Sequence, residues 1–86
     1  MNPETIINSL ELPKDLFLGV PVFTMYGNGE LLIENHRGIL LYGQEQMTVR
    51  SKRFLICIIG KNLQIDSYTA DSLLICGNIE EITFHP

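Results

Sequence analysis

The chain has 86 residues, 45% of them hydrophobic, and a formal net charge of −4. That length holds one domain with no room for a second, and the apolar content excludes a disordered polar chain. The acidic balance argues against nucleic acid as a partner, because such binders need clustered cations to displace counterions from phosphate.

Residues 1–12 have neither the cationic start nor the long apolar core of a secretory leader. The longest apolar run, from Phe54 to Ile59, is far short of the ~20 residues of a membrane span. A cytoplasmic protein is expected, without direct membrane insertion; any membrane association would come through a partner. The two cysteines, Cys57 and Cys76, lie inside apolar runs, with no Cys-x-x-Cys pair and no neighbouring histidine. The spacing of a zinc site is missing, and in a reducing compartment both read as small buried hydrophobes.

In chain order, residues 1–21 form an N-terminal helix or strap segment and residues 22–86 the main domain. Pro3 and Glu4 suit a helix start, by fixed φ and by charge against the dipole. Ile6, Ile7 and Leu10 share one face at helical spacing, and Pro13 stops the pattern. A stretch this short is marginal as a free helix, so a docked helix and a frayed tail both stand. Leu16, Phe17, Leu18 and Val20, bracketed by Pro13 and Pro21, read as an extended strap or edge strand.

From Val22 onward the pattern is strands. Val22 to Tyr26 is followed by Gly27-Asn28-Gly29, a strong hairpin signal, since these residues accept positive φ at little cost. Glu30 to Glu34 runs into the turn Asn35-His36-Arg37-Gly38, and Ile39 to Tyr42 is expected to return as the second arm of a hairpin. Met47 and Val49 alternate with Thr48 and Arg50 in a half-exposed strand. The densest basic cluster, Arg50, Lys52 and Arg53, reads as a solvated loop. Residues 54–59 are apolar on both faces: Phe54, Ile56 and Ile58 point one way, and Leu55, Cys57 and Ile59 the other. Gly60-Lys61-Asn62 reads as a turn, Leu63 and Ile65 as a half-exposed strand, and Leu73 to Cys76 as a second two-sided run closed by Gly77-Asn78. Ile79, Ile82 and Phe84 finish the fold, and the break in alternation at Glu80-Glu81 indicates a β-bulge.

The sum is an all-β domain, a small β-sandwich of about eight short antiparallel strands with a short N-terminal helix or tail. Glycines at Gly27, Gly43, Gly60 and Gly77 recur with two strands in each interval, which also fits a short β-solenoid. A sandwich strand keeps one face toward water, so the doubly apolar runs need cover. Burying one Leu or Ile stabilises by ~1.5–3 kcal/mol, a large term for a chain that buries only roughly 60–65% of its unfolded surface. A homodimer or larger homo-oligomer is expected.

His36, with Glu34, Asn35 and Arg37 around it, is the one cluster that looks like a site. A base needs a nucleophile and an orienting group, and neither is visible. The bland alternative is a hairpin turn with its polar side chains in water. Catalytic residues, cofactor and metal are all expected to be absent; Glu34, Asn35, His36 and Arg37 are the candidate partner-binding residues. His85 is nearly terminal. A module of another class, a small β-barrel for a ligand or nucleic acid, would need Tyr26, Tyr42 and Tyr68 to converge beside Arg50 and Arg53.

Three pieces of the chain carry a family resemblance. They are Leu12-Pro13-Lys14-Asp15, the central Ile33-Glu34-Asn35-His36-Arg37-Gly38-Ile39, and Gly60-Lys61-Asn62-Leu63-Gln64-Ile65 with Gly77-Asn78-Ile79-Glu80-Glu81-Ile82-Thr83-Phe84. Together they resemble the YabP/YqfC family of sporulation proteins, on its YqfC-like side because of the Glu-Asn-His-Arg-Gly turn. Residues 42–53 depart from the family pattern. The resemblance implies a small β-sandwich made during endospore formation and working in the mother cell. It implies no enzymatic activity and no cofactor. It also implies action through protein contacts, with a membrane-bound sporulation protein among the candidate partners.

Overall fold

The computed structural model describes residues 19–86. The predicted helix at 2–12 and most of the strap at 15–21 therefore lie outside the described residues. The described chain is all β. Six strands, β1 (Val22–Tyr26), β2 (Glu30–Glu34), β3 (Ile39–Leu41), β4 (Gln46–Arg50), β5 (Leu55–Tyr68) and β6 (Ser72–His85), form one antiparallel sheet in the order β1-β2-β6-β5-β4-β3. Their β-branched, aromatic and aliphatic residues suit a pleated, half-buried surface.

Eight short strands become six because two predicted turns are bends within long strands. β5 and β6 each run for 14 residues. Gly60-Lys61-Asn62 and Gly77-Asn78 do not reverse the chain; they sit opposite one another where the β5–β6 ladder shifts register. Ile59 pairs with Glu81 and Gly60 with Ile79, so Glu80 is the extra residue, the bulge expected at that break. Two further shifts come after it, between Lys61 and Gln64 and between Ile65 and Ser67. Successive bulges bend a strand and sharpen its twist.

The bend divides the sheet into two halves that share β5 and β6. β4 pairs with the start of β5, with Arg50 opposite Leu55 and Gln46 opposite Ile59. β2 pairs with the start of β6, with Glu34 opposite Ser72 and Glu30 opposite Cys76. The sheet folds onto itself: Leu31 and Ile33 of β2 join Met47 and Val49 of β4 in a single core, although β6 and β5 lie between those strands in the sheet. Ile56, Ile58, Leu63, Leu73 and Ile75 complete the fully buried set. The rings of Phe23 in β1 and Phe84 in β6 meet edge-on at 5.6 Å. One folded sheet thus stands where two separate sheets were expected.

The expected hairpin at residues 34–38 is a crossover. β2 and β3 are not neighbours; three strands, β6, β5 and β4, lie between them in the sheet, and the segment carries the chain from one half to the other. The hairpin at 27–29 forms as read, with Tyr26 opposite Glu30 and Gly27 at φ 58°. The glycine recurrence is not a solenoid period. Each interval runs up one strand and down the next, so Gly27, Gly43, Gly60 and Gly77 collect at the bent end, where Gly60 N–H donates to Glu45 O (3.1 Å) and Gly77 N–H to Gly29 O (3.0 Å).

The doubly apolar strands are better covered than expected. Cys57 is buried on the outer face of β5, and Leu55, Ile59, Leu74 and Cys76 are half-buried. The exposed apolar side chains sit mainly on and beside the edge strands instead: Val20, Met25 and Tyr26 along β1, and Leu40, Leu41 and Tyr42 along β3.

Candidate functional site

Residues 34–38 cross the open end of the molecule, opposite the bend. Glu34 closes β2, half-buried and paired with Val22 and Ser72. Asn35 then turns the chain at φ 68°, a left-handed conformation that asparagine tolerates better than most residues. Its N–H donates to Asp71 O at 2.6 Å, and its Nδ2 donates to Val20 O at 3.0 Å. One residue therefore ties the entry of the chain, the crossover and the β5–β6 loop together.

His36 is 3% exposed, the buried polar residue among those described. Gly38 N–H donates to its Nδ1 at 2.9 Å. An Nδ1 that accepts leaves the ring proton on Nε2, and Nε2–H points at Thr69 O (3.0 Å) and Ser72 O (3.3 Å). The ring stacks on Tyr68 at 5.3 Å between centroids. The loop it holds is braced within itself: Ser72 N–H donates to Thr69 Oγ1 (3.0 Å). His36 does not face water as the hairpin alternative required; it clamps the crossover to the 69–72 loop. The lone pair that a base would use is already occupied.

Arg37 is the exposed member of the motif. Its N–H donates to Arg50 O and Arg50 N–H donates to Gly38 O, both at 2.8 Å, which seats the crossover on β4. So the structure uses Asn35 and His36 internally and leaves Arg37, with part of Glu34, to meet anything outside. What sequence reasoning missed is the apolar edge: Leu40, Leu41 and Tyr42 are 54%, 48% and 60% exposed on and just beyond a three-residue edge strand. Three consecutive large apolar residues ending at Gly43 were the available signal.

Other polar groups are structural or solvated. Among the described residues, no three His, Cys, Asp or Glu gather as metal ligands, and no helix is long and apolar enough to cross a membrane. Lys61 Nζ donates to Glu45 Oε2 at 2.8 Å; this bond and the Lys61 charge hold the Glu45 carboxyl below its usual range, and Glu45 raises Lys61 in turn. Both side chains are exposed, so the pair adds little stability. His85 Nε2 lies 3.1 Å from Thr83 Oγ1. Cys57 and Cys76 are free, one opposite Thr83 and the other opposite Gln64, so they are not cross-strand partners. Burial pushes the Cys76 thiol up, followed by the charges of Asp66 and Glu30 and by its contact with Glu30.

These features define a small all-β domain whose most distinctive polar motif, Glu34 to Gly38, is a crossover clamp. The chain matches the model of the YabP family over residues 21–86. It is 32% identical over 79 residues to the Bacillus subtilis (strain 168) protein named "Uncharacterized protein YqfC", an alignment covering 92% of this chain and 85% of that one. The chain belongs to the YabP/YqfC family. No solved structure matches it.

Proposed function

We propose that this chain is a non-enzymatic accessory protein of endospore formation, acting in the mother cell by self-association and by contact with a membrane-bound sporulation protein. The developmental setting rests on family membership. The mode of action rests on one observation above all: among the described residues, β3 is an edge strand whose outer backbone is unpaired, next to exposed Leu40, Leu41 and Tyr42. An apolar edge of this kind is a template for pairing with another chain, and a second copy provides the same strand for an isologous contact. The occupied lone pair of His36 speaks against proton transfer at the one histidine suited to it.

Light scattering on the purified chain tests the self-association. The wild type should run as a dimer or larger, and Leu40→Lys with Leu41→Lys should run as a folded monomer. A wild type that stays monomeric at every concentration overturns the proposal. For the partner, Arg37→Ala should weaken capture from sporulating cells while leaving the fold intact. The β-barrel alternative finds no support: Tyr26 and Tyr42 lie toward the bent end, whereas Tyr68 stacks on His36 at the open end, so the three do not converge beside Arg50 and Arg53.

A further inference from the structure

The two halves of the bent sheet share one layout. One half runs through β1, β2, the start of β6 and the end of β5. The other runs through β3, β4, the start of β5 and the end of β6. Each half sends one face into the common core. Side chains alternate along a strand, so each half also turns a face outward. On the outer face of the first half, Leu32 stands opposite Leu74, flanked by Glu34 opposite Ser72 and by Glu30 opposite Cys76. β1 adds Val22, Thr24 and Tyr26 to the same rows. Burial, and then the charges of Asp66 and Glu30, push the Cys76 thiol up, which places both carboxylates beside it. Asp71 follows in the loop at the open end. None of these positions is Lys or Arg.

The outer face of the second half carries the other sign. Arg50, Leu55 and His85 form one cross-strand row, Thr48, Cys57 and Thr83 the next, and Gln46, Ile59 and Glu81 the last. Arg50 is exposed, and exposed Lys52 and Arg53 follow it in the turn closed by Ser51 N–H to Phe54 O. Arg37 N–H donates to Arg50 O, which brings a fourth cation to the same margin. Among the described residues none of the four forms an ion pair. The opposing carboxylates are Glu81 and, in the bulge before it, Glu80. They lie by the far row, roughly 13 Å from that of Arg50 at ~3.3 Å per residue, where Lys61 already offsets Glu45.

We propose that the basic outer face of one molecule stacks on the acidic outer face of a second copy of this chain. Half-buried Leu55 and Ile59 on one side and Leu32 and Leu74 on the other supply an apolar centre, and the charges around them supply a complementary rim. An anionic membrane or a nucleic acid would use the basic face alone, against the acidic face and the net charge of −4; a second copy uses both faces. The contact goes beyond the β3 pairing and takes none of its backbone. Because the two faces differ, it is heterologous, and it repeats from molecule to molecule as a stack or a closed ring. A dimer joined along β3 carries each face twice, so paired contacts would reinforce one another.

Charge reversal followed by mixing tests this on the full-length protein. Light scattering should give the wild type a larger mass at about 10 mM salt, where the screening length is ~30 Å, than at about 1 M, where it is ~3 Å. Arg50→Glu, Lys52→Glu and Arg53→Glu together leave both faces acidic; Glu30→Lys, Glu34→Lys and Asp66→Lys together leave both basic. Alone, each variant should stack roughly tenfold more weakly or worse. Mixed in equal amounts they should recover the wild-type mass, because every contact again joins opposite signs. If a triple variant does not fold, Arg50→Glu with Arg53→Glu and Glu30→Lys with Asp66→Lys, all at exposed positions, should show the same gain on mixing. The mass of either variant alone reports the β3 contact, a dimer where it holds and a monomer where it fails; the gain on mixing reports the stacking. A wild-type mass indifferent to salt, variants that assemble alone as the wild type does, or a mixture no larger than its components would each overturn the proposal. So would tighter binding of the wild type to an oligonucleotide or to phosphatidylglycerol vesicles than to itself.

Discussion

The two ends of the sheet differ in what makes them specific: close glycine approach at one, buried polar side chains at the other. At the bent end the chain passes so close to itself that side chains are excluded: a Cβ on Gly60 would collide with the carbonyl of Asn78, and one on Gly77 would lie 2.6 Å from Asn62 O and 2.9 Å from Leu63 Cα. Backbone bonds link the strands there, including Leu63 N–H to Gln44 O (2.8 Å) and Ile79 N–H to Asn28 O (2.9 Å), while the side-chain bonds Asn28 Nδ2 to Asn78 Oδ1 and Lys61 Nζ to Glu45 Oε2 lie on its exposed margin. At the open end particular side chains add to the backbone bonds of the crossover: Asn35 to Val20, His36 to Thr69 and Ser72, and Ser51 Oγ to Phe54 O at 2.7 Å. A joint made by an absent side chain tolerates no replacement. A joint made by a polar group should weaken by degrees as that group is trimmed.

The largest effect should come from the bend. Gly77→Ala combines overpacking, ~1–3 kcal/mol, with a side chain at φ 139°, where strain adds ~1–3 kcal/mol. Gly60→Val should be at least as damaging, and denaturant titration should show the loss in both. Unaltered stability of either would mean that the bend can relax, and the contrast between the ends would fall. Next comes the clamp. His36→Ala empties a buried ring site and strips two carbonyls of their donor, a loss of about 2–4 kcal/mol, whereas Arg37→Ala beside it should stay within about 0.5 kcal/mol. Equal losses at the two positions would contradict a structural role confined to His36.

The smallest effect is chemical and separates the cysteines. The Cys76 thiol is held above its ordinary range in the folded chain, so the unfolded chain ionises first as pH rises. Alkylation of Cys76 should therefore be slower in the folded than in the unfolded protein through the mildly alkaline range, with the gap closing at higher pH. Over the same range, ionisation in the unfolded chain draws the equilibrium toward unfolding. Glu30→Gln should shift the profile to lower pH. Cys57, buried beneath Gln46, whose Nε2 lies 3.3 Å from its sulfur, should react only on unfolding.

Much of the fold is legible in the sequence. Alternation at Met47 and Val49 marks a strand with the right face inward, the glycines at 27 and 29 mark a true hairpin, and the break at Glu80 marks a true bulge. The errors share a cause. Gly60 and Gly77 look like turn punctuation when each is read alone, because glycine with asparagine within a residue or two usually marks a reversal. A glycine inside a strand can equally mark a bulge or a close backbone approach, and only their mutual proximity across the ladder decides. The Asn35-His36-Arg37-Gly38 turn misleads for a similar reason. Its partners, Thr69, Asp71 and Ser72, lie more than thirty residues away, and no local pattern names them. The family resemblance read in the sequence rests in part on the same motif, whose chemistry reads as architecture at Asn35 and His36.

Because β5 and β6 each thread both halves, neither half owns a complete set of strands. Severing the molecule between its halves would cut both β5 and β6 at once and strip the core from each fragment. The domain should accordingly melt in a single step and reassemble the same way. Heredity meets the same constraint: neither half could be duplicated, shuffled or handed to another gene without taking the other along.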